Sequence, residues 1–153
     1  MDKSVLVLGT GYSGLPGLTA AGLGTRQITL TDIAAIIPLL MQKVGENVAF
    51  NKVDTLEVRC LVWGEEEEEH DGEDYKHADE DYDVVLISDV FYDMGMMQKL
   101  GRTLRRACGE TTRALSVTQL RQWTWECLAE LEKEGVELVE LGEFGCCHEL
   151  LTG

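Results

Sequence analysis

The sequence predicts a single α/β domain built on a doubly wound, mostly parallel sheet. Three observations support this fold class. Short β-branched runs alternate with helical patterns, a glycine-rich turn joins the first strand to the first helix, and two strand patterns with no helix between them end the chain. Because 153 residues suit one domain with its own core, we expect residues 1–153 to form a single domain.

Hydrophobic periodicity places the elements along the chain. The expected strands are residues 4–8, 27–31, 56–62, 82–88 and 112–117, and the expected helices are residues 15–23, 33–47, 95–108 and 119–134. Residues 136–141 and 146–151 add two strands that we expect to form an antiparallel hairpin, which brings the total to seven. In a sheet of this kind ligands bind beyond the carboxyl ends of the strands, so those ends are the places to search.

The negative charge of the chain is concentrated in one segment. The formal net charge is −15, and residues 65–83 alone hold twelve acids against one lysine. Such a run buries too little apolar surface to fold, so we expect a disordered insertion at 65–81, with a docking surface for a basic protein as the alternative. His70 and His77 lie in this run at a spacing that fits no familiar metal site, and we expect no bound metal. The charge also argues against nucleic acid as a partner.

Membrane and export signals are missing from the sequence as it reads. No apolar stretch approaches the roughly 20 residues of a membrane-spanning helix, and the first residues carry no signal-peptide pattern. The five cysteines include no C-x-x-C pair, which favours free thiols in a reducing compartment. We therefore expect a cytoplasmic protein, with the nucleus as a second location and no membrane partner; the oligomeric state stays open.

A glycine-rich turn and a later aspartate predict a cofactor site. Gly9, Gly11 and Gly14 form a G-x-G-x-x-G pattern between strand and helix, where backbone N–H groups can approach a ligand closely. Asp32 follows Gly9 by 23 residues at the end of the second strand, from which a carboxylate can accept both hydroxyls of a ribose. This pair predicts an adenosine-containing cofactor and fits NAD and S-adenosylmethionine (SAM) equally. The alternative for Asp32 is a cap of the helix expected to begin at Ile33.

Further motifs occur in a fixed order along the chain. They are V-L-V-L-G-T-G-Y-S-G-L-P-G-L at 5–18, T-L-T-D at 29–32, L-V-W-G at 61–64, S-D-V-F-Y at 88–92 and R-Q-W-T-W-E-C-L at 121–128. With these motifs the chain resembles the eukaryotic seven-β-strand protein-lysine methyltransferases, also called methyltransferase family 16. The most specific motif is Asp-x-x-Tyr, from Asp89 to Tyr92. The resemblance implies a Rossmann-like class I methyltransferase fold.

The resemblance also implies a cofactor, a substrate and site residues. SAM would be the methyl donor, S-adenosylhomocysteine the product, and a lysine of a protein such as a chaperone or translation factor the acceptor. The residues implied to bind SAM are Gly9, Thr10, Gly11, Tyr12, Ser13, Gly14, Asp32, Trp63 and Ser88. Trp63 would pack on the adenine, with an ordinary core tryptophan as the alternative. Asp89 would orient the acceptor by hydrogen bonding, and Tyr92 would line its channel or else serve in packing.

Two other functions remain open at this point. An NAD(P)-dependent oxidoreductase would use the same glycine-rich turn and Asp32, but the chain has no Tyr-x-x-x-Lys pair and no separate catalytic domain. A catalytically weak or silent binding module would use the fold and the acidic segment to hold a basic partner. Val7 and Val62, which stand where the family tends to have acids, favour this module, as does the short stretch before the first strand.

Overall fold

A computed structural model describes residues 2–51, 56–64, 82–136, 138–139 and 142. In that part of the chain five strands form one sheet and four helices accompany them. In chain order they are β1 Ser4–Leu8, α1 Leu15–Gly22, β2 Gln27–Asp32, α2 Ile37–Asn51, β3 Leu56–Cys60, β4 Val84–Ser88, α3 Met94–Ala107, β5 Arg113–Val117 and α4 Thr124–Lys133. None of these helices combines the length and the apolar character that a membrane crossing requires.

The sheet is parallel throughout its described strands. The strand order is β3-β2-β1-β4-β5, and every neighbouring pair is parallel. β2 and then β3 follow on one side of β1, and β4 and then β5 follow on its other side. Such a reversal opens a crevice at the carboxyl ends of β1 and β4, where ligands bind in sheets of this type. The predicted doubly wound, mostly parallel α/β fold is confirmed.

Side chains of β1 alternate between two cores on opposite faces of the sheet. Leu6 and Leu8 belong to a cluster with α3 and α4, whereas Val5 and Val7 belong to a second cluster with α1 and α2. All four of these side chains are buried. Because both faces are covered by helices, β1 is apolar from Val5 to Leu8, as expected for the central strand of a parallel sheet.

Two helices begin later than the hydrophobic pattern predicts. The second helix was expected from residue 33, but α2 begins at Ile37, after a turn in which the Ile36 N–H donates to the Ile33 carbonyl. Pro38 lies in the first turn of α2, where its missing N–H costs little. The last helix was expected from residue 119, but α4 begins at Thr124.

Most of the predicted C-terminal hairpin lies outside the described residues. Of residues 136–141, only residues 136, 138 and 139 are described, and none of them lies in a strand. Residues 146–151 lie outside the described residues, as does the acidic insertion at 65–81. The structure thus gives five strands of the seven that the sequence predicts.

Asp83 ties the start of β4 to the start of β1. Its carboxylate accepts hydrogen bonds from Lys3 Nζ at 2.9 Å and from the Ser4 backbone N–H at 2.8 Å. The Ser4 hydroxyl oxygen in turn accepts from the Asp83 N–H at 3.1 Å. The Lys3 ammonium and then the Ser4 N–H lower the pKa of Asp83 from 3.8 to about 2. Asp83 therefore has a structural role, although the sequence places it at the end of the acidic run.

The missing side chain at Gly17 allows α1 to lie directly on β2. A Cβ at Gly17 would come 2.1 Å from Leu30 Cδ2, whereas a Cβ at Gly22 of the same helix would meet nothing within 4 Å. We expect Gly17→Ala to lower the free energy of unfolding by about 1–3 kcal/mol, because the helix must move off the sheet. The control Gly22→Ala raises it by up to about 1 kcal/mol through helix propensity. Equal urea midpoints for the two variants would contradict this packing.

The hydrogen bonds of Asp83 predict a pH-dependent stability. The pKa of Asp83 is lower in the folded chain, so its contribution is present above pH 3.8 and is lost as the pH falls from there towards about 2. We expect Asp83→Asn to be less stable than the wild type at pH 6, and the difference to shrink below pH 4. Urea unfolding across this range measures it, with Asp2→Asn as the control. A difference that stays constant with pH would refute the assignment.

Candidate functional site

The glycine-rich turn after β1 has a left-handed backbone at all three glycines. The φ angles are 63° at Gly9, 68° at Gly11 and 64° at Gly14, a region that side chains with a Cβ rarely enter. A Cβ at Gly14 would meet Leu40 and Val44 of α2, so this glycine allows the turn to close on the core. A Cβ at Gly11 would meet nothing within 4 Å, so open space lies in front of that residue.

The other residues of the turn differ in what their side chains contact. Thr10 is buried and fixes the turn, because its N–H donates to the Thr31 carbonyl at 3.0 Å and its hydroxyl to the Val7 carbonyl at 3.3 Å. Tyr12 and Ser13 are exposed, with 60% of Tyr12 accessible. Thr10 thus acts through structure, whereas Tyr12 and Ser13 present polar groups at the edge of the sheet.

Asp32 holds the turn in place from the end of β2. One carboxylate oxygen, Oδ2, accepts the Gly11 N–H at 2.7 Å, and the other, Oδ1, accepts the Ile33 N–H at 2.8 Å. The alternative role of Asp32 as a helix cap at Ile33 is wrong, because α2 begins at Ile37 and Asp32 lies too far ahead of it. Each carboxylate oxygen keeps a further lone pair, so the group can still accept hydroxyl donors.

Trp63 lies against the glycine-rich turn. A Cβ at Gly9 would come 2.9 Å from Trp63 Cζ2 and 3.1 Å from Val90 Cγ1, so only glycine leaves room for the indole there. The indole is partly buried against the core cluster of α3 and α4. The next residue, Gly64, donates its N–H to the Thr103 hydroxyl at 3.0 Å and so fastens the segment to α3. Trp63 is thus partly a core residue, and its contact with adenine stays a prediction.

The end of β4 carries a strained aspartate. Asp89 has φ 53°, the one positive φ outside glycine among the described residues. Its N–H donates to the Val117 carbonyl at 2.9 Å, and its Oδ2 accepts from Arg121 at 2.6 Å. Ser88 is the half-buried last residue of β4. Left-handed backbone at a residue with a side chain is concentrated at functional sites.

Tyr92 follows Asp89 on the same turn and projects outwards. Its N–H donates to the Val90 carbonyl at 3.1 Å, and 62% of the residue is exposed. The exposed ring does not pack into the core, so the packing alternative for Tyr92 is not what the structure shows. A channel-lining role remains a prediction.

The predicted site residues meet at one edge of the sheet. Gly11 contacts Asp32, while Gly9 contacts both Trp63 and Val90, which is the neighbour of Asp89. Four strand ends therefore contribute to a single crevice. No direct contact joins Ser88 or Tyr92 to the glycine-rich turn among the bonds of the described residues; Ser88 ends β4 and Tyr92 follows it, and their part in the site stays a prediction.

Arg121 is a site residue to which the sequence argument gave no role. It lies in the R-Q-W-T-W-E-C-L motif, between β5 and α4, and pairs with Asp89 across 32 positions of the chain. The strand order accounts for this pairing. Because β4 and β5 are parallel neighbours, the residues that follow them meet at the same edge of the sheet.

Two solved structures with a similar fold are methyltransferases. The chain superposes on precorrin-6y C5,15-methyltransferase from Geobacter metallireducens GS-15 with a TM-score of 0.59 at 15% identity, over 88% of this chain and 63% of that one. It superposes on the glycopeptide N-methyltransferase MtfA complexed with sinefungin with a TM-score of 0.57 at 16% identity, over 76% of this chain and 43% of that one. At such identities the similarity shows the fold alone, which is that of the class I methyltransferases.

Sequence similarity points to one group of methyltransferases. The chain is 28% identical over 121 residues to the protein-lysine methyltransferase METTL21E of Bos taurus, which covers 79% of this chain. It spans about two fifths, 40%, of that relative's length. The family model described as lysine methyltransferase matches residues 1–142. Because this match takes in nearly all of the sequence, the chain belongs to the lysine methyltransferase family, methyltransferase family 16.

Proposed function

We propose that this chain is a SAM-dependent methyltransferase domain that transfers a methyl group to a lysine side chain of another protein. The observation that supports it best is the arrangement of Asp32 and Gly11. The carboxylate lies at hydrogen-bond distance, 2.7 Å, from the Gly11 N–H, and the space in front of Gly11 is open. A nucleoside with its ribose beside this carboxylate suits both features.

The residues of the crevice fit SAM chemically. The glycine at position 11 puts no side chain into the open space in front of it, and Asp32 keeps lone pairs for the two ribose hydroxyls. Trp63 offers a flat apolar face beside Gly9, which suits an adenine. Gly9, Gly11 and the neighbouring backbone of Thr10 to Ser13 would hold the methionine part. When bound, SAM supplies an electrophilic methyl group that a nitrogen lone pair takes from the sulfonium in line.

The chain's own residues would align the acceptor and control its proton. An ammonium has no lone pair, so the lysine must lose its proton to solvent before its nitrogen can bond the methyl carbon. Packing of the lysine stem against the ring of Tyr92 would displace water and lower the pKa of that lysine, whereas a nearby carboxylate would raise it. We therefore assign Asp89 to hold the amine in line through a hydrogen bond, and Tyr92 to pack against the aliphatic stem.

A protein acceptor suits the charge and the family of this chain. The net charge of −15 attracts lysine-rich surfaces and repels nucleic acid. The similar bovine protein is named a protein-lysine methyltransferase, which extends by similarity to this chain. We propose a cytoplasmic or nuclear protein such as a chaperone or translation factor as the acceptor, with S-adenosylhomocysteine as the second product.

Calorimetric titration of the chain with SAM and with NADH tests the cofactor. We expect binding of SAM and not of NADH, and Asp32→Asn should weaken SAM binding about 10-fold or more, because an amide can accept only through one oxygen. Glu110→Gln removes an exposed carboxylate before β5, at the opposite edge of the sheet, and is the matched control. Binding of NADH alone would end the proposal.

A labelling experiment tests the methyl acceptor. Tritium from methyl-labelled SAM should enter a protein band of a cell lysate, and mass mapping should place the label on a lysine. SAM binding without label in any protein would instead favour the silent binding module. Label on a histidine would retain the methyltransferase and change the acceptor class.

We also propose the seven-stranded form of the sheet, with the strands at residues 136–141 and 146–151 beyond β5. In the described residues β5 pairs only with β4, and Leu115 and Val117 are 42% and 64% exposed. An uncovered strand edge of this kind is a liability in a native protein. Two further strands would cover both the edge and the apolar side chains.

Backbone hydrogen exchange on the full chain tests this arrangement. The Arg113 N–H donates to the Asp83 carbonyl, so the N–H groups of Arg113, Leu115 and Val117 point towards β4 and those of Ala114 and Ser116 point to the outer edge. If a further strand pairs there, the Ala114 and Ser116 amides should exchange as slowly as the Leu115 amide. Fast exchange confined to Ala114 and Ser116 would show an unpaired edge and refute the seven-stranded form.

A further inference from the structure

The ion pair between Asp89 and Arg121 lies where the proposed acceptor must arrive. One guanidinium nitrogen of Arg121 is 2.6 Å from Asp89 Oδ2, and the two side chains are 44% and 47% exposed. The pair is therefore open to the solvent in which an acceptor approaches. The Arg121 N–H also donates to the Thr124 hydroxyl at 2.8 Å, at the start of α4.

The backbone on both sides of the pair is fixed. Asp89 is held by the bond from its N–H to the Val117 carbonyl, and Arg121 by a turn that the Thr124 N–H closes on the Arg121 carbonyl at 3.1 Å. The guanidinium is thus supplied from a rigid corner between β5 and α4. Only one carboxylate oxygen of Asp89 is engaged by Arg121, and Oδ1 is left to accept from another donor.

This geometry resolves a conflict in the proposed reaction. A carboxylate beside a lysine amine raises the pKa of that amine and keeps it protonated, which opposes methyl transfer. A carboxylate paired with a guanidinium loses a substantial part of that effect, because the positive charge a few ångströms further from the amine offsets part of the negative one. It can still accept a hydrogen bond through its second oxygen.

We propose that Arg121 is a positioning residue that neutralises Asp89 and turns Oδ1 towards the acceptor, so that Asp89 orients the lysine without raising its pKa. The proposal rests on the proposed methyl transfer to lysine. Arg121 itself does not contact the acceptor. It acts through the carboxylate that does.

The Asp89 carboxylate is paired with Arg121 and not with the other charged and titratable groups described near it. They are Tyr12 on the glycine-rich turn, Asp32 at the end of β2, Tyr92 and Asp93 on the turn after β4, and Glu126 on α4. Asp93 is engaged as the cap of α3, where it accepts from the Gly95 N–H at 2.9 Å. Lys99 on α3 packs against Gly64, next to Trp63. Among the described ion pairs Arg121 is the cation that engages Asp89, so its removal leaves that carboxylate without its partner.

The test is the pH dependence of methyl transfer to the lysate protein band that takes up tritium, at saturating SAM between about pH 6.5 and 9.5. In the wild type the rate should rise with pH as the acceptor loses its proton. Arg121→Gln should move the midpoint up by about one pH unit, which is the effect of one added charge at close range near a protein surface. Arg121→Lys keeps the charge and should restore the wild-type midpoint.

Two more variants separate charge from structure. Arg121→Met keeps the apolar stem and should give the same shift as Arg121→Gln. Arg26→Gln removes a surface arginine that pairs with Asp2 at 3.2 Å near the amino end of β2, and it should leave the midpoint unchanged.

The results distinguish the role of Arg121 from the proposed methylation of lysine. A midpoint shared by the wild type, Arg121→Gln and Arg121→Met would overturn the role of Arg121 while leaving lysine methylation intact. An equal loss of rate at every pH would do the same, because it would indicate a purely structural residue. A wild-type chain that labels no protein would remove the proposed function and this inference together.

Discussion

Complete burial of β1 on both faces is the constraint on which the rest of the structure depends. Leu6 and Leu8 lie in one core, and Val5 and Val7 lie in the other. A strand with helices on both sides has no surface for polar side chains, so polar groups can act only where it ends. The residues proposed to act in function therefore lie at the ends of the strands and in the turns that follow them, where the strand order reverses.

At that edge the carboxylate of Asp32 has one structural role and one proposed role in binding. Asp32 binds the Gly11 and Ile33 N–H groups, which fixes the glycine-rich turn relative to β2. We propose the same group as the acceptor for ribose hydroxyls. Because the protein already supplies hydrogen bonds to the carboxylate, its orientation is set before any ligand arrives, and less order has to be created on binding.

Much of this arrangement could be predicted from the sequence, and the exceptions share a physical cause. The apolar runs at β1 and β4 and the helical pattern of α3 depend on burial, which leaves a periodic mark in the sequence. The starts of α2 and α4 depend on hydrogen bonds that close short turns, such as Ile36 to Ile33, and these leave no such mark. The glycine-rich turn and Asp32 were found because their conformations and spacing restrict residue type. The pairing of Asp89 with Arg121 depends on strand order, which periodicity does not encode.

The strained backbone of Asp89 links the site to the outer side of the sheet. Left-handed backbone is unfavourable for a residue with a Cβ, and aspartate tolerates it better than most side chains. The hydrogen bond from the Asp89 N–H to the Val117 carbonyl and the exposed ion pair with Arg121, each worth about 1 kcal/mol or less, hold Asp89 in this conformation. Val117 ends β5, the outermost described strand. The geometry of the Asp-x-x-Tyr turn is therefore coupled to the position of β5 through this one bond.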